Sequence, residues 1–75
     1  MRLIKSFEGF INNKMCAKWT VWQNADLSYS AFCNKVEHNT GELDMAMYYI
    51  LSSIREFLIN ENYKQITIKG YDATP

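Results

Sequence analysis

Residues Glu42 to Ile59 read ELDMAMYYILSSIREFLI, and their period decides the fold. Leu43, Met47, Ile50, Leu51, Ile54, Phe57 and Leu58 recur at three-and-four spacing, the apolar stripe of an amphipathic helix that must rest one face on another layer. Asn39 stands three residues before Glu42, the spacing of a capping box, and an acid at that position suits the helix dipole. Asn60-Glu61-Asn62 closes the segment.

Outward from the helix the period falls to two. Arg2 to Ile11 is aliphatic and aromatic and stops at Asn12-Asn13-Lys14, which reads as a strand entering a turn. Met15 to Gln23 alternates Ala17, Trp19 and Val21 with Lys18 and Thr20. After a turn at Asn24-Ala25-Asp26, Leu27 to Lys35 sets Leu27, Tyr29, Ala31 and Cys33 on one parity. Beyond the helix, Gln65 to Gly70 is a short strand with Ile66 and Ile68 on one side. The order is β-β-β-α-β. It predicts an α+β fold in which a three-stranded antiparallel meander, a long amphipathic helix and a fourth strand form a single small domain over residues 1–75.

Residues opposite each other in a hairpin share a face of the sheet. A three-residue loop at Asn24-Ala25-Asp26 opposes Val21 to Tyr29, Trp19 to Ala31 and Ala17 to Cys33. A three-residue turn at Asn12-Asn13-Lys14 opposes Ile11 to Met15 and Phe7 to Trp19, with Glu8 beside Lys18 on the other side. One face then carries Leu3, Phe7, Ile11, Met15, Ala17, Trp19, Val21, Leu27, Tyr29 and Ala31, joined by Ile66 and Ile68, and the helix covers it. The opposite face shows Ile4, Phe10, Cys16, Trp22 and Phe32 among Arg2, Ser6, Glu8, Lys18, Thr20, Ser28, Ser30 and Asn34. One helix covers only one side of a sheet, and a contiguous apolar patch on the other marks an interaction site. Ile4, Phe10, Trp22, Phe32 and Lys18 are therefore the candidate partner-binding residues, with Trp22 as the anchor.

Composition narrows the classes. The chain has 75 residues, 48% of them apolar, with eight basic residues against eight acidic. A chain this short builds one thin core, which excludes a two-domain enzyme. Balanced charge excludes binding to nucleic acid chiefly by phosphate neutralisation. No stretch approaches about 18 uninterrupted apolar residues, and Met1-Arg2-Leu3-Ile4-Lys5 lacks a signal-peptide core, so the expectation is a cytoplasmic protein with no membrane span. In that compartment Cys16 and Cys33 are expected as reduced, independent small hydrophobes. With His38 they fall short of a zinc set. His38 itself reads as a loop residue before the helix. Trp19, Trp22, Tyr29, Phe32, Tyr48, Tyr49, Tyr63 and Tyr71 offer stacking surfaces for single-stranded nucleic acid, but no basic groove accompanies them.

Three acids fall at suggestive places: Glu8 in the first strand, Glu42 at the helix start and Asp72 past the last strand. With the last strand parallel to the first through a right-handed crossover, Glu8 and Asp72 come near the same ends of adjacent strands. Parity opposes them, and a bulge at Gly9 or a two-residue turn at Asn12-Asn13 would swing Glu8 inward. Clustered carboxylates there would suit magnesium.

The order of elements and the acids resemble the first half of the ribonuclease H fold. Phe7-Glu8-Gly9 looks like that family's Asp-Gly step, and Ala17-Lys18-Trp19-Thr20-Val21-Trp22 like its second strand. Asn39-Thr40-Gly41-Glu42-Leu43 looks like the entry to its first helix, and Tyr71-Asp72-Ala73 like its Thr-Asp-Ser. The resemblance implies a metal-dependent nuclease or nucleic-acid-binding module with magnesium on Glu8, Glu42 and Asp72. Glu8 replaces the family's aspartate, and the later strand, helices and fourth acid are missing, so the implied site is incomplete.

The leading expectation is a small non-catalytic protein that binds a protein partner, or itself as a homodimer, through the bare sheet face or the unpaired edge of the third or fourth strand, without a cofactor. Free-standing chains of this size are often inhibitors, antitoxins or phage-encoded blockers. The reduced nuclease is the alternative.

Overall fold

The computed structural model describes residues 1–62 and 64–73. Five strands and one helix follow in the order β1 (Arg2–Ile11), β2 (Lys14–Gln23), β3 (Tyr29–Cys33), β4 (Val36–Thr40), α1 (Leu43–Asn60) and β5 (Ile66–Asp72). The architecture is α+β, with a five-stranded sheet of order β4-β3-β2-β1-β5 in which every neighbouring pair is antiparallel. This corrects the three-stranded meander: residues 36–40 form a further strand before the helix. It also corrects the direction of the last strand, which runs antiparallel to β1.

Asn12 and Asn13 both adopt positive φ, 52° and 67°, so the first hairpin closes in two residues rather than three. Such a turn matches the right-handed twist of its flanking strands. It pairs Ile11 with Lys14 and Phe10 with Met15, a register one step from the expected one, and a bulge at Cys16 restores that register from Gly9 opposite Ala17 onward. Glu8 therefore faces Lys18 and Phe7 faces Trp19, as expected, since the turn and the bulge cancel. A second irregularity at Ile4 then sets Leu3 opposite Trp22.

The β2–β3 loop is two residues longer than expected. Asn24 N–H donates to the Ser28 carbonyl at 2.8 Å, and Leu27 N–H to the Asn24 carbonyl at 3.0 Å. Val21 consequently lies opposite Ala31 and Trp19 opposite Cys33. A slip of two leaves every side chain on its expected face. Leu27, with φ 70° and 70% exposure, belongs to the loop and leaves the core.

The β3–β4 hairpin turns at Asn34-Lys35, where Asn34 takes φ 58°. Its side-chain oxygen accepts from Lys18 N–H at 2.9 Å, and its own N–H donates to the Lys18 carbonyl at 3.1 Å. Asn39 is thus a β4 residue that accepts a hydrogen bond from the Ser30 hydroxyl at 2.7 Å, and not a helix cap. Glu42 holds the N-cap position in extended conformation, with no side-chain capping bond.

The core is Ala17, Trp19, Val21, Ala31 and Cys33 from the sheet against Ala46, Ile50 and Ile54 from α1. Trp19 Nε1–H donates to Ser53 Oγ at 2.9 Å, so the largest buried ring also satisfies its polar atom. Phe57 meets Trp19 edge-on at 5.4 Å between centroids. Leu51, expected on the packed stripe, is 54% exposed, because the buried line runs through Ala46.

Candidate functional site

Alternation along the paired strands separates the two faces of the sheet. From Trp19, Val21 and Ala31 under the helix, the register places Glu8, Phe10, Lys18, Thr20, Trp22 and Phe32 on the face that α1 does not cover. Glu37 and Asn39 follow from β4, and Thr67, Lys69 and Tyr71 from β5.

Two irregularities change the expected membership. The bulge at Ile4 turns that side chain onto the core, while Leu3 takes its place beside Trp22 on the uncovered face. Ile4 is accordingly removed from the candidate partner-binding residues. The two-residue turn brings Met15, 49% exposed, onto the same face as Phe10.

At one end of this face lies an open cleft of about 450 Å³ lined by Met1, Lys18, Thr20, Trp22, Phe32 and Asn34. Its floor is aromatic, and Lys18 and Asn34 are its polar wall. Trp22 Nε1–H donates to Thr20 Oγ1 at 3.0 Å, which holds the indole along the strand with its ring turned to the cleft. Beside it Ser30, only 2% exposed, is satisfied by Asn24 at 2.9 Å and Asn39 at 2.7 Å. This polar knot stiffens the edge of the cleft.

Phe10 lies elsewhere on the face. It pairs with Met15, seven residues along β2 from Trp22, or roughly 20 Å at the strand rise. Lys69 Nζ sits 4.9 Å from its ring centroid, a cation–π contact. Glu8 is nearby, across from Lys69 and Lys18. Partial desolvation, with the Glu8 carboxylate close by, pushes the Tyr71 phenol above its ordinary range. Phe10 is thus separate from the Trp22 cleft.

The acidic trio is dispersed. Glu8 is on the uncovered face, whereas Asp72, opposite Lys5, is on the helix side and lies 3.4 Å from that lysine's ammonium. Glu42 begins the helix. Among the described residues no group of three or more His, Cys, Asp and Glu side chains is placed to hold a metal ion.

A second cleft, about 420 Å³, lies between α1 and the β3–β4 hairpin, with Cys33, His38, Tyr49, Ser53 and Glu56 among its walls. His38 is a β4 residue, not a loop residue, and stacks on Tyr49 at 4.3 Å with the rings 4° from parallel. Cys33 is buried and its thiol is 3.5 Å from the Tyr49 carbonyl. Burial pushes that thiol above its ordinary range, so at neutral pH it is a protonated donor and not a nucleophile. Cys16 is exposed and, like Cys33, free.

Of the aromatic residues expected as stacking surfaces, Trp19 is fully buried, Tyr29 packs on the core, and Tyr48 and Tyr49 are on the helix. Tyr63 lies outside the described residues. Trp22 and Phe32 share the cleft on the uncovered face, and Tyr71 is on β5.

Among the described residues no helix is long and apolar enough to cross a membrane. Comparison with protein-family models, with curated proteins and with solved structures returns no match.

Proposed function

We propose that this chain is a small non-catalytic interaction protein whose uncovered sheet face docks onto another protein, in the manner of an inhibitor or antitoxin-type blocker. The observation that carries the reading is the cleft floored by Trp22 and Phe32 with Lys18 at its rim, on the side of the sheet that no other element covers among the described residues. An aromatic floor with one cationic wall suits a partner that inserts an apolar side chain and presents a carboxylate beside it. The half-buried Trp22 is a suitable anchor, because tryptophan in a concave apolar site is a frequent hot spot.

The test is Trp22→Ala in the full chain, used to recover the partner from the native source and then to titrate the purified partner. Affinity should drop by about 2 kcal/mol or more while the thermal midpoint stays close to that of the parent. Unchanged affinity in a folded variant would remove the cleft from the interface.

A further inference from the structure

The cleft between α1 and the β3–β4 hairpin lies on the helix side of the sheet, away from Trp22. Its cause is side-chain size. Tyr49, Ser52, Ser53, Glu56 and Asn60 recur at three-and-four spacing along one flank of α1, and Val36 and His38 share the helix side of β4. Tyr49 reaches across by stacking on His38. One turn later Ser52 and Ser53 take its place, and serine is too short to fill the layer between a helix and a sheet. Packed interiors hold few voids larger than a water molecule, whereas this space is about 420 Å³, within the roughly 300–1,000 Å³ of small-molecule sites.

One sign of charge faces it. Glu56 and Glu61 line the cleft, and among the described residues no lysine or arginine does. Among those residues the ion pair present joins Lys5 to Asp72, so neither glutamate is neutralised by a salt bridge. Glu61 caps the end of α1 and Glu56 stands just over a turn before it. The carbonyls at that end carry partial negative charge, and the last turn has no basic side chain to offset it. The rest of the lining suits a flat apolar body. The Tyr49–His38 stack closes one end, Phe57 packs below against Trp19, and Ser52 and Asn60 can accept hydrogen bonds.

We propose that this cleft binds a small organic cation, a flat ring carrying an amine or amidine. The ring lies between Tyr49 and Phe57, in the space the serines leave, and the charge lies toward Glu56, at the end where α1 terminates. Every part of the lining then has a complement. An anion would meet two carboxylates and a helix C-terminus, and a neutral ring would leave them without a partner.

Titration of the full chain with benzamidine at neutral pH, followed by amide chemical shifts in nuclear magnetic resonance, tests this. Saturable shifts should centre on His38, Tyr49, Ser53 and Glu56, with a dissociation constant in the millimolar range expected of so small a ligand. Benzamide, the neutral molecule of the same shape, should bind at least about threefold more weakly, and benzoate should leave these signals unmoved. The double variant Glu56→Gln, Glu61→Gln should weaken benzamidine at least about fivefold, with circular dichroism unchanged because glutamine keeps the shape of glutamate. Glu56→Gln alone, at an exposed helix position, should show a smaller loss in the same direction. No shifts at millimolar benzamidine, shifts centred on Trp22, benzamide binding as tightly as benzamidine, or a folded double variant that binds like the parent would each overturn the proposal.

Discussion

Gly9 is the residue on which the packing of β1 closes. A Cβ there would lie 3.2 Å from the Trp19 ring and 3.3 Å from Phe57, two rings already in edge-to-face contact. Trp19 is fully buried and held through its Nε1–H by Ser53, so Gly9→Ala should lower the stability by about 1–3 kcal/mol, read from the urea midpoint. Gly41→Ala, where a Cβ meets nothing within 4 Å, is the control and should change little. Cys33 supplies a pH signature. Desolvation raises its folded-state pKa, with Ser53 opposing in part, so the folded chain holds this proton more tightly than the unfolded chain does. Its contribution is complete below the ordinary thiol range and is lost as pH climbs through and beyond it. The parent should therefore lose stability more steeply than Cys33→Val above about pH 9, and Cys16 should alkylate at neutral pH while Cys33 resists until unfolding. At this scale alternation alone identified Trp19, Val21 and Ala31 as core. It misplaced Leu27, because a leucine at positive φ in a loop carries no apolar signature different from one in a strand.

Among the elements, α1 was the most legible and is bounded within a residue of its reading, since about five turns of apolar spacing leave little choice of period. Its start was misjudged. Asn39 is drawn into β4 by pairing with Ser30, and Glu42 is left as a cap whose side chain makes no capping bond. Glu42→Ser should therefore stabilise the chain by about 0.5–1 kcal/mol, measured by thermal or urea unfolding, because a shorter oxygen can reach the first free N–H groups. No gain would mean that the extended backbone at residue 42 cannot orient a cap. β4 itself was invisible: Val36-Glu37-His38-Asn39-Thr40 has weak strand propensity, and its pairing depends on a turn at Asn34 that the sequence reading ran through. In the first hairpin two departures cancelled. The tight Asn12-Asn13 turn shifted the register and the Cys16 bulge shifted it back, so Glu8 still faces Lys18 although neither local feature was expected there together.

For the molecule as a whole, one helix on a five-stranded sheet leaves two apolar regions uncovered on opposite sides. The Trp22 cleft is the broad face that lacks any helix, and beside Leu51 is a strip that one helix is too narrow to reach. Trp22→Ala should weaken partner binding, read by titration of the purified partner, without loss of fold. The acidic trio is dispersed at this scale as well, since β5 enters antiparallel and Asp72 is on the side of the sheet away from Glu8. By itself the sequence determined the α+β class, the helix, the strand periods and the side on which most residues lie, because those depend on chain-local period and on two-residue parity, which survives even register slips. Only the tertiary structure decided the number and order of strands, the direction of β5, the fate of Ile4 and Leu3 and the width left bare beside α1. Each of these turns on bulges, turn conformations and long-range pairings whose energies come from contacts between residues far apart in the chain.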